Sequence, residues 1–192
     1  GTGFLASVAS VAEAGLVARH GADIIDLKNA SAGILGAVDT ASSSHVVQHL
    51  RTQWPASDLL FSATIGDGPF EPDAVESAIA HTAATGVDIV KVGCFAPALS
   101  TPLLQSLASA AEQSVRLVVV LFAEHGAQLR ELKALADCGI HGVMLDTANK
   151  ATGSLRQKLT DDELATSVDT ARQYRLLTGL AGSLRRGDIG PL

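Results

Sequence analysis

Lysine is scarce in this sequence, and two of the five lysines end segments with the composition of buried β-strands. Lys28 closes the run ADIIDLK, and Lys91 lies in VDIVKVG. Burying an ammonium group is costly unless partners compensate it, so two such positions indicate a function. A lysine held neutral can attack a carbonyl and form an iminium, while nearby carboxylates move the protons. The other function that a buried lysine could serve is to bind a phosphate or an oxyanion through its ammonium group.

The elements that position these lysines follow a simple alternation. Near-continuous apolar runs separated by helical patterns predict a parallel sheet covered by helices. Three of these runs begin with a glycine suited to the left-handed residue just past a helix, in HGADIID, TGVDIVK and CGIHGVMLD. The predicted strands are 3–9, 22–28, 58–64, 87–93, 115–121, 141–146 and 175–181, and the predicted helices are 10–20, 42–54, 72–85, 100–113, 125–138 and 160–173.

Seven strands in this pattern predict one α/β domain over residues 1–192, a TIM (β/α)8 barrel whose eighth β/α unit is missing from this chain. No GxGxxG follows the first strand, which disfavours a dinucleotide-binding sheet. A barrel of this type has a norm of roughly 250 residues, so we expect the natural protein to continue by roughly 40 residues.

Strand geometry predicts where the charged side chains meet. Side chains alternate along a strand, so Asp26 and Lys28 should point into the barrel while their apolar neighbours face the helices. Alternate strands contribute to one interior layer, which would bring Asp26, Lys28, Lys91 and Asp146 together. Lys150 lies four residues past a strand end, so its side chain can reach the same end of the barrel. The prediction is an electropositive pocket with three ammonium groups and two carboxylates.

Weaker signals surround this pocket. Barrels often bind phosphate on backbone N–H groups after strands seven and eight, so Gly182 and Ser183 in AGSL are candidates. Glu124 and His125, after strand five, could act as acid or base, or could be a helix N-terminal carboxylate and a surface histidine. The loop SATIGDGPFEP, residues 62–72, follows the third strand and could be a shaped functional loop or a plain turn.

Composition excludes several classes of protein. The formal charge is −6 with no Lys/Arg stripe, which disfavours a nucleic-acid partner. Cys94 and Cys138 lie far apart with no metal-ligand spacing, as in a reducing compartment. No run approaches the ~18 apolar residues of a membrane span. The expectation is a cytoplasmic protein with no membrane partner, and the sequence leaves a homo-oligomer open.

Five ordered motifs carry a family resemblance: DIIDLKN…GILGA, SATIGD, DIVKVG, MLDTANK and AGSL. In this order they resemble the (5-formylfuran-3-yl)methyl phosphate synthase (4-HFC-P synthase) family of methanofuran biosynthesis, over essentially the whole chain. The resemblance implies a TIM-barrel lyase similar to class I aldolases. Such an enzyme condenses two molecules of glyceraldehyde 3-phosphate, with loss of phosphate and water, and needs no metal or organic cofactor.

The resemblance also implies residue roles. Lys28 in DLKN resembles the Schiff-base lysine, Asp26 its acid or base, and Lys91, Asp146 and Lys150 complete the site. The chain departs from the family in Ala30, where a proline is usual, and in Phe122-Ala123-Glu124, where Tyr-Ala-Asp is usual. Two other readings stay open, another Schiff-base aldolase acting on a sugar phosphate and a non-catalytic barrel that binds a phosphometabolite.

Overall fold

Strands and helices alternate along the whole chain. A computed structural model describes residues 2–68 and 71–192. The strands are β1 (Leu5–Val8), β2 (Ile24–Leu27), β3 (Leu60–Thr64), β4 (Ile89–Cys94), β5 (Leu117–Phe122), β6 (Gly142–Asp146) and β7 (Leu177–Leu180). The helices are α1 (Val11–Arg19), α2 (Thr40–Gln53), α3 (Pro72–Ala83), α4 (Thr101–Glu112), α5 (Leu129–Asp137), α6 (Leu155–Lys158) and α7 (Asp161–Gln173), with 3-10 turns at Ala123–His125, Lys150–Thr152 and Arg186–Asp188.

The sheet confirms the predicted α/β class. Its seven strands follow one another in chain order, and β1 to β4 and β5 to β7 pair in parallel. The chain divides into two compact units, residues 1–92 with 113–116 and residues 93–112 with 117–192. That an eighth β/α unit is missing from this chain stays a prediction.

The predicted strands are confirmed, and most are shorter than the apolar runs that indicated them. The three glycines expected just past helix ends, Gly21, Gly86 and Gly139, have φ angles of 85°, 90° and 75°. They are left-handed because the chain must turn from helix to strand there, and a side chain would strain that turn.

One helix prediction is wrong in its bounds, and one short helix was not predicted. The predicted helix 125–138 begins only at Leu129, because Gly126 (φ 79°) and Gln128 (φ 47°) take left-handed conformations that interrupt it. The short helix α6 was missed. Its capping box, in which Ser154 and Gln157 satisfy each other's backbone N–H groups, is a signal that was present in the sequence.

In the first unit, β2 separates an apolar face from a polar one. Ile25 and Leu27 are fully buried in a cluster that also contains Ala14 of α1 and Val46 and Leu50 of α2. The prediction that these two side chains face the helices is confirmed. Asp26, between them, therefore points to the other face of the sheet.

In the second unit, β6 pairs with both β5 and β7. All six residues of β5 are buried, as in a strand covered on both faces. Gly142, at the start of β6, lies so close to β7 that an added Cβ would meet the Leu177 carbonyl oxygen at 2.5 Å. In the described part of the chain, no helix has the length and apolarity needed to cross a bilayer.

Candidate active site

Asp26 is the centre of a buried polar cluster in the first unit. The sheet register sets Ser7 of β1 and Ser62 of β3 directly beside it, since both are its Cα partners. Ser62 Oγ donates to Asp26 Oδ1 at 2.7 Å, and Ser7 Oγ donates to Asp26 Oδ2 at 2.9 Å. Sequence reasoning missed both serines, because a serine inside a strand carries no chemical signal without the register.

Lys91 completes this cluster as an ion pair. Its Nζ donates to Asp26 Oδ2 at 2.8 Å, and the two side chains are 5% and 0% exposed. The predicted proximity of Asp26 and Lys91 is confirmed. Two charges withdrawn from water to this degree are sustained only by close pairing and further hydrogen bonds, which the two serine hydroxyls supply.

Lys28 follows β2 directly. Its backbone N–H donates to the Val8 carbonyl oxygen at 3.0 Å, so the residue continues the ladder with β1. Strand alternation then gives its side chain the same face as Asp26, two residues earlier. Lys28 is half-buried, whereas Lys91 is buried.

Hydrogen bonds fix the loop that follows Lys28 at two places. Asn29 N–H donates to the Gly36 carbonyl oxygen at 2.9 Å and closes the base. Asp67, from the loop after β3, accepts the backbone N–H groups of Ile34 (2.6 Å) and Leu35 (2.5 Å). The interpretation of the 62–72 segment as a shaped loop gains support from Asp67, although Pro69 and Phe70 lie outside the described residues.

In the second unit, Asp146 ends β6 and is buried. Its Oδ1 accepts the Thr147 backbone N–H at 2.7 Å. Thr147 is itself fully buried, and its Oγ1 has no hydrogen-bond partner among the described residues. A Cβ added to Gly182 would meet this hydroxyl at 2.9 Å, so the loop after β7 passes directly over Thr147.

The predicted phosphate loop contains two consecutive residues in left-handed conformations. Gly182 and Ser183 both have positive φ angles, 110° and 52°, and Ser183 is exposed. The Gly182 carbonyl oxygen accepts the Leu155 N–H at 2.9 Å, which ties this loop to the start of α6. No described contact tests phosphate binding here, so the assignment stays a prediction.

Lys150 is exposed and begins a 3-10 turn. The preceding backbone is held by Glu124, whose carboxylate accepts the N–H groups of Ala148 and Asn149, each at 3.0 Å. His125, the other acid–base candidate, has its Nε2 at 3.0 Å from the Phe95 carbonyl oxygen. Both side chains therefore make structural contacts.

The predicted site residues thus fall into two groups. Asp26 and Lys91 are in contact in the first unit, with Lys28 on the same strand as Asp26, while Asp146, Lys150, Gly182 and Ser183 belong to the second unit. Their convergence in one pocket stays a prediction. Among residues 2–68 and 71–192, no group of three or more His, Cys, Asp or Glu side chains is arranged to hold a metal ion.

Comparison with known sequences shows which protein family this chain belongs to. Residues 4–192 match the family described as 4-HFC-P synthase. The chain is 32% identical over 196 residues to the (5-formylfuran-3-yl)methyl phosphate synthase of Methanocaldococcus jannaschii, covering 96% of this chain and 81% of that protein. It is 32% identical over 182 residues to the synthase of the same name from Methanopyrus kandleri, covering 88% and 74%.

Solved structures share the fold at low sequence identity. CutC from Streptococcus agalactiae superposes with a TM-score of 0.76 at 12% identity, covering 98% of this chain and 92% of that one. Deoxyribose phosphate aldolase from Aeropyrum pernix gives 0.64 at 11% identity, covering 98% and 79%. At such identities the likeness concerns the fold alone, which is of the TIM-barrel type.

Proposed function

Because the chain belongs to the 4-HFC-P synthase family, we propose that it condenses two molecules of glyceraldehyde 3-phosphate into (5-formylfuran-3-yl)methyl phosphate. The reaction releases one phosphate and two molecules of water, which balances the atoms. In this role the protein is a lyase of methanofuran biosynthesis. The proposal includes an aldolase-like mechanism through a Schiff base on Lys28, with no metal or organic cofactor.

The observation that carries the proposal is the buried Asp26–Lys91 pair beside Lys28. A carboxylate and an ammonium group at 2.8 Å, almost without solvent, can exchange a proton without changing the charge of the pair. Such a pair suits a reaction that must both remove and return protons at one carbon. Lys28, more accessible and two residues further along the same strand face, is the better nucleophile.

The proposed chemistry begins at the Lys28 amine. In its neutral form it attacks the aldehyde carbon of one triose phosphate, and loss of water gives an iminium. The iminium draws electrons from the adjacent carbon, whose proton the Asp26 carboxylate removes while the Lys91 ammonium stays paired with it. The resulting enamine is the carbon nucleophile that joins the second triose. Elimination of phosphate, ring closure and the net loss of two molecules of water build the furan. Hydrolysis of the iminium takes back the water released when it formed and frees the Lys28 amine.

The residues of the second unit have two roles in this proposal, binding the phosphate groups of the substrate and transferring protons in the later steps. Asp146 is a buried carboxylate at a strand end, a position that suits an acid or base. Lys150 is an exposed cation on a hydrogen-bonded turn, which suits a phosphate. Gly182 and Ser183 form the proposed backbone site for a phosphate group.

The experiment combines product analysis with trapping. The protein is incubated with glyceraldehyde 3-phosphate, and the near-ultraviolet absorption of a furan aldehyde, which simple aldols lack, is followed. Borohydride is then added and the modified peptide is mapped by mass spectrometry. We expect furan formation and a reduced adduct on Lys28.

The decisive variant is Lys28→Arg, which keeps the positive charge but cannot form an imine. We expect it to bind substrate and to make no furan. Turnover retained in this variant would overturn the Schiff-base mechanism. An aldol product without furan would identify a different class I aldolase, and substrate binding with neither product nor adduct would identify a binding barrel.

A further inference from the structure

Glu124 makes its main contacts with the loop that carries Lys150. Its two carboxylate oxygens each accept one backbone N–H, from Ala148 and from Asn149, both at 3.0 Å. Its Oε1 also lies 3.3 Å from Lys158 Nζ, in a pair whose side chains are 25% and 14% exposed. Both oxygens of Glu124 are therefore engaged by the chain itself.

Lys158 extends the same network to the far side of Lys150. Its Nζ donates to Thr152 Oγ1 at 2.8 Å, and that hydroxyl donates to the Asn149 carbonyl oxygen at 2.9 Å. Asn149 Oδ1 in turn accepts the Ala151 N–H at 3.0 Å. Hydrogen bonds thus fix the backbone on both sides of Lys150, while its own side chain is exposed.

The protonation state of Glu124 agrees with a structural contact. Burial alone would raise the pKa of this carboxyl, but the N–H groups of Asn149 and Ala148 outweigh that effect and lower its pKa to about 2. Glu124 is therefore a carboxylate at neutral pH and has no proton to donate.

The first unit contains the same construction. Asp67, from the loop after β3, accepts the N–H groups of the consecutive residues Ile34 and Leu35 in the loop after β2. Glu124, from the turn after β5, does the same for the loop after β6. In both units a carboxylate that follows an odd-numbered strand holds the loop that follows the neighbouring even-numbered strand. Each even-numbered strand carries candidate site residues, Asp26 and Asp146 respectively.

We propose that Glu124 is a positioning residue: together with Lys158 it holds the loop 148–152 in the conformation in which Lys150 acts. The inference rests on the role proposed above for Lys150. Glu124 takes no part in proton transfer, and its removal acts on the reaction only through the placement of that lysine.

The first test is hydrogen exchange of the loop. Glu124→Gln keeps the size of the side chain, but an amide presents only one acceptor oxygen, so at least one of the two N–H bonds is lost. We expect the amides of residues 148–152 to exchange at least about 10-fold faster, in line with the loss of a charge-assisted hydrogen bond of roughly 1.5–3 kcal/mol. The matched control is Asp137→Asn, an acid-to-amide change in an exposed ion pair of α5. Unchanged exchange in Glu124→Gln, relative to this control, overturns the inference.

The second test is a double-variant comparison of turnover. A misplacement of about 1 Å can cost about 100-fold in rate, so we expect Glu124→Gln to lower kcat/KM by up to about 100-fold. KM should rise as part of this loss, because Lys150 is assigned to a phosphate of the substrate. Lys150→Met should remove the same contribution, and the double variant should be no slower than Lys150→Met alone, because the two residues act in series.

Each outcome of the turnover test decides a different question. Losses that multiply in the double variant, or full activity of Lys150→Met, overturn the positioning role. Asp137→Asn should keep wild-type turnover, which separates the expected loss from a general effect of charge removal. If the wild-type chain makes no furan from glyceraldehyde 3-phosphate, the proposed function fails, and hydrogen exchange of residues 148–152 alone decides whether Glu124 holds the loop.

Discussion

The buried pair of Asp26 and Lys91 makes the strongest quantitative prediction. Lys91→Met keeps a side chain of similar length and removes the positive charge. Asp26 then remains as a buried carboxylate that has lost its ammonium partner, while the Ser7 and Ser62 hydroxyls still donate to it. At 2.8 Å and an effective dielectric constant of about 20, the attraction that is lost amounts to about 6 kcal/mol.

Part of that attraction is offset in the native protein by the cost of desolvating both charges. Removing one member of a buried pair therefore costs about 3–5 kcal/mol, which is a large share of the 5–15 kcal/mol that a domain typically has. With a urea m-value of roughly 2–3 kcal/mol/M, the unfolding midpoint of Lys91→Met should fall by about 1–2.5 M.

The chain offers a matched control in Lys133→Met. Lys133 Nζ lies 2.7 Å from Asp137, the same separation within 0.1 Å, but both side chains of that pair are 64% exposed. Exposed pairs contribute about 0–1 kcal/mol, so this variant should lose little. The double variant Asp26→Asn/Lys91→Met, which removes both charges of this pair, should be more stable than Lys91→Met alone.

The assay is urea unfolding at neutral pH followed by circular dichroism, with all four proteins compared at equal concentration. Equal midpoints for Lys91→Met and Lys133→Met would refute the reasoning, because burial would then add nothing to the pair. A double variant less stable than Lys91→Met would refute the assignment of the loss to an uncompensated charge.

Three further predictions concern the loops. Asp67→Asn should weaken the hydrogen bonds that fix the loop after Lys28, so borohydride trapping on Lys28 should slow at least several-fold. Trapping at the wild-type rate would contradict this prediction. Thr147→Val removes a buried hydroxyl that has no hydrogen-bond partner among the described residues. Urea unfolding should therefore show unchanged stability, or a gain of up to about 3 kcal/mol, while weaker substrate binding in this variant would show that the hydroxyl meets the ligand. The pKa of Glu124 is lowered from 4.5 to about 2, so the stability it contributes is fully present above pH 4.5 and disappears as the pH falls toward 2. The difference in urea midpoint between the wild type and Glu124→Gln should shrink over that pH range, and a difference that stays constant would contradict the assignment.

Much of the fold was predictable because its signals are local. The apolar runs marked the strands, and the glycines past the helices marked the chain reversals at Gly21, Gly86 and Gly139. Strand alternation also predicted correctly which side chains of β2 lie on which face of the sheet. Ile25 and Leu27 are buried against the helices, so Asp26, which lies between them, must point to the opposite face.

What could not be predicted depends on contacts between segments distant in sequence. Ser7 and Ser62 contact Asp26 because of the strand register, and the register cannot be inferred from the sequence of the three strands. Asp67 and Glu124 reach backbone N–H groups 24 to 33 residues away, and a backbone donor leaves no trace in side-chain identity. The start of α5 was mistaken because Gln128, an ordinary helix former, adopts a left-handed conformation.

The alignment of Ser7, Asp26 and Ser62 also bears on how the chain finds its native pairing. A one-residue slip of β2 would carry Asp26 to the helix side and Ile25 away from it, so hydrophobic patterning already opposes that error. A two-residue slip keeps every side chain on its correct face, and patterning does not oppose it. It would nevertheless separate the Asp26 carboxylate from both hydroxyls and from Lys91, at the cost of an uncompensated buried charge. The residues proposed for chemistry thereby also penalise a folding error that hydrophobic burial alone would tolerate.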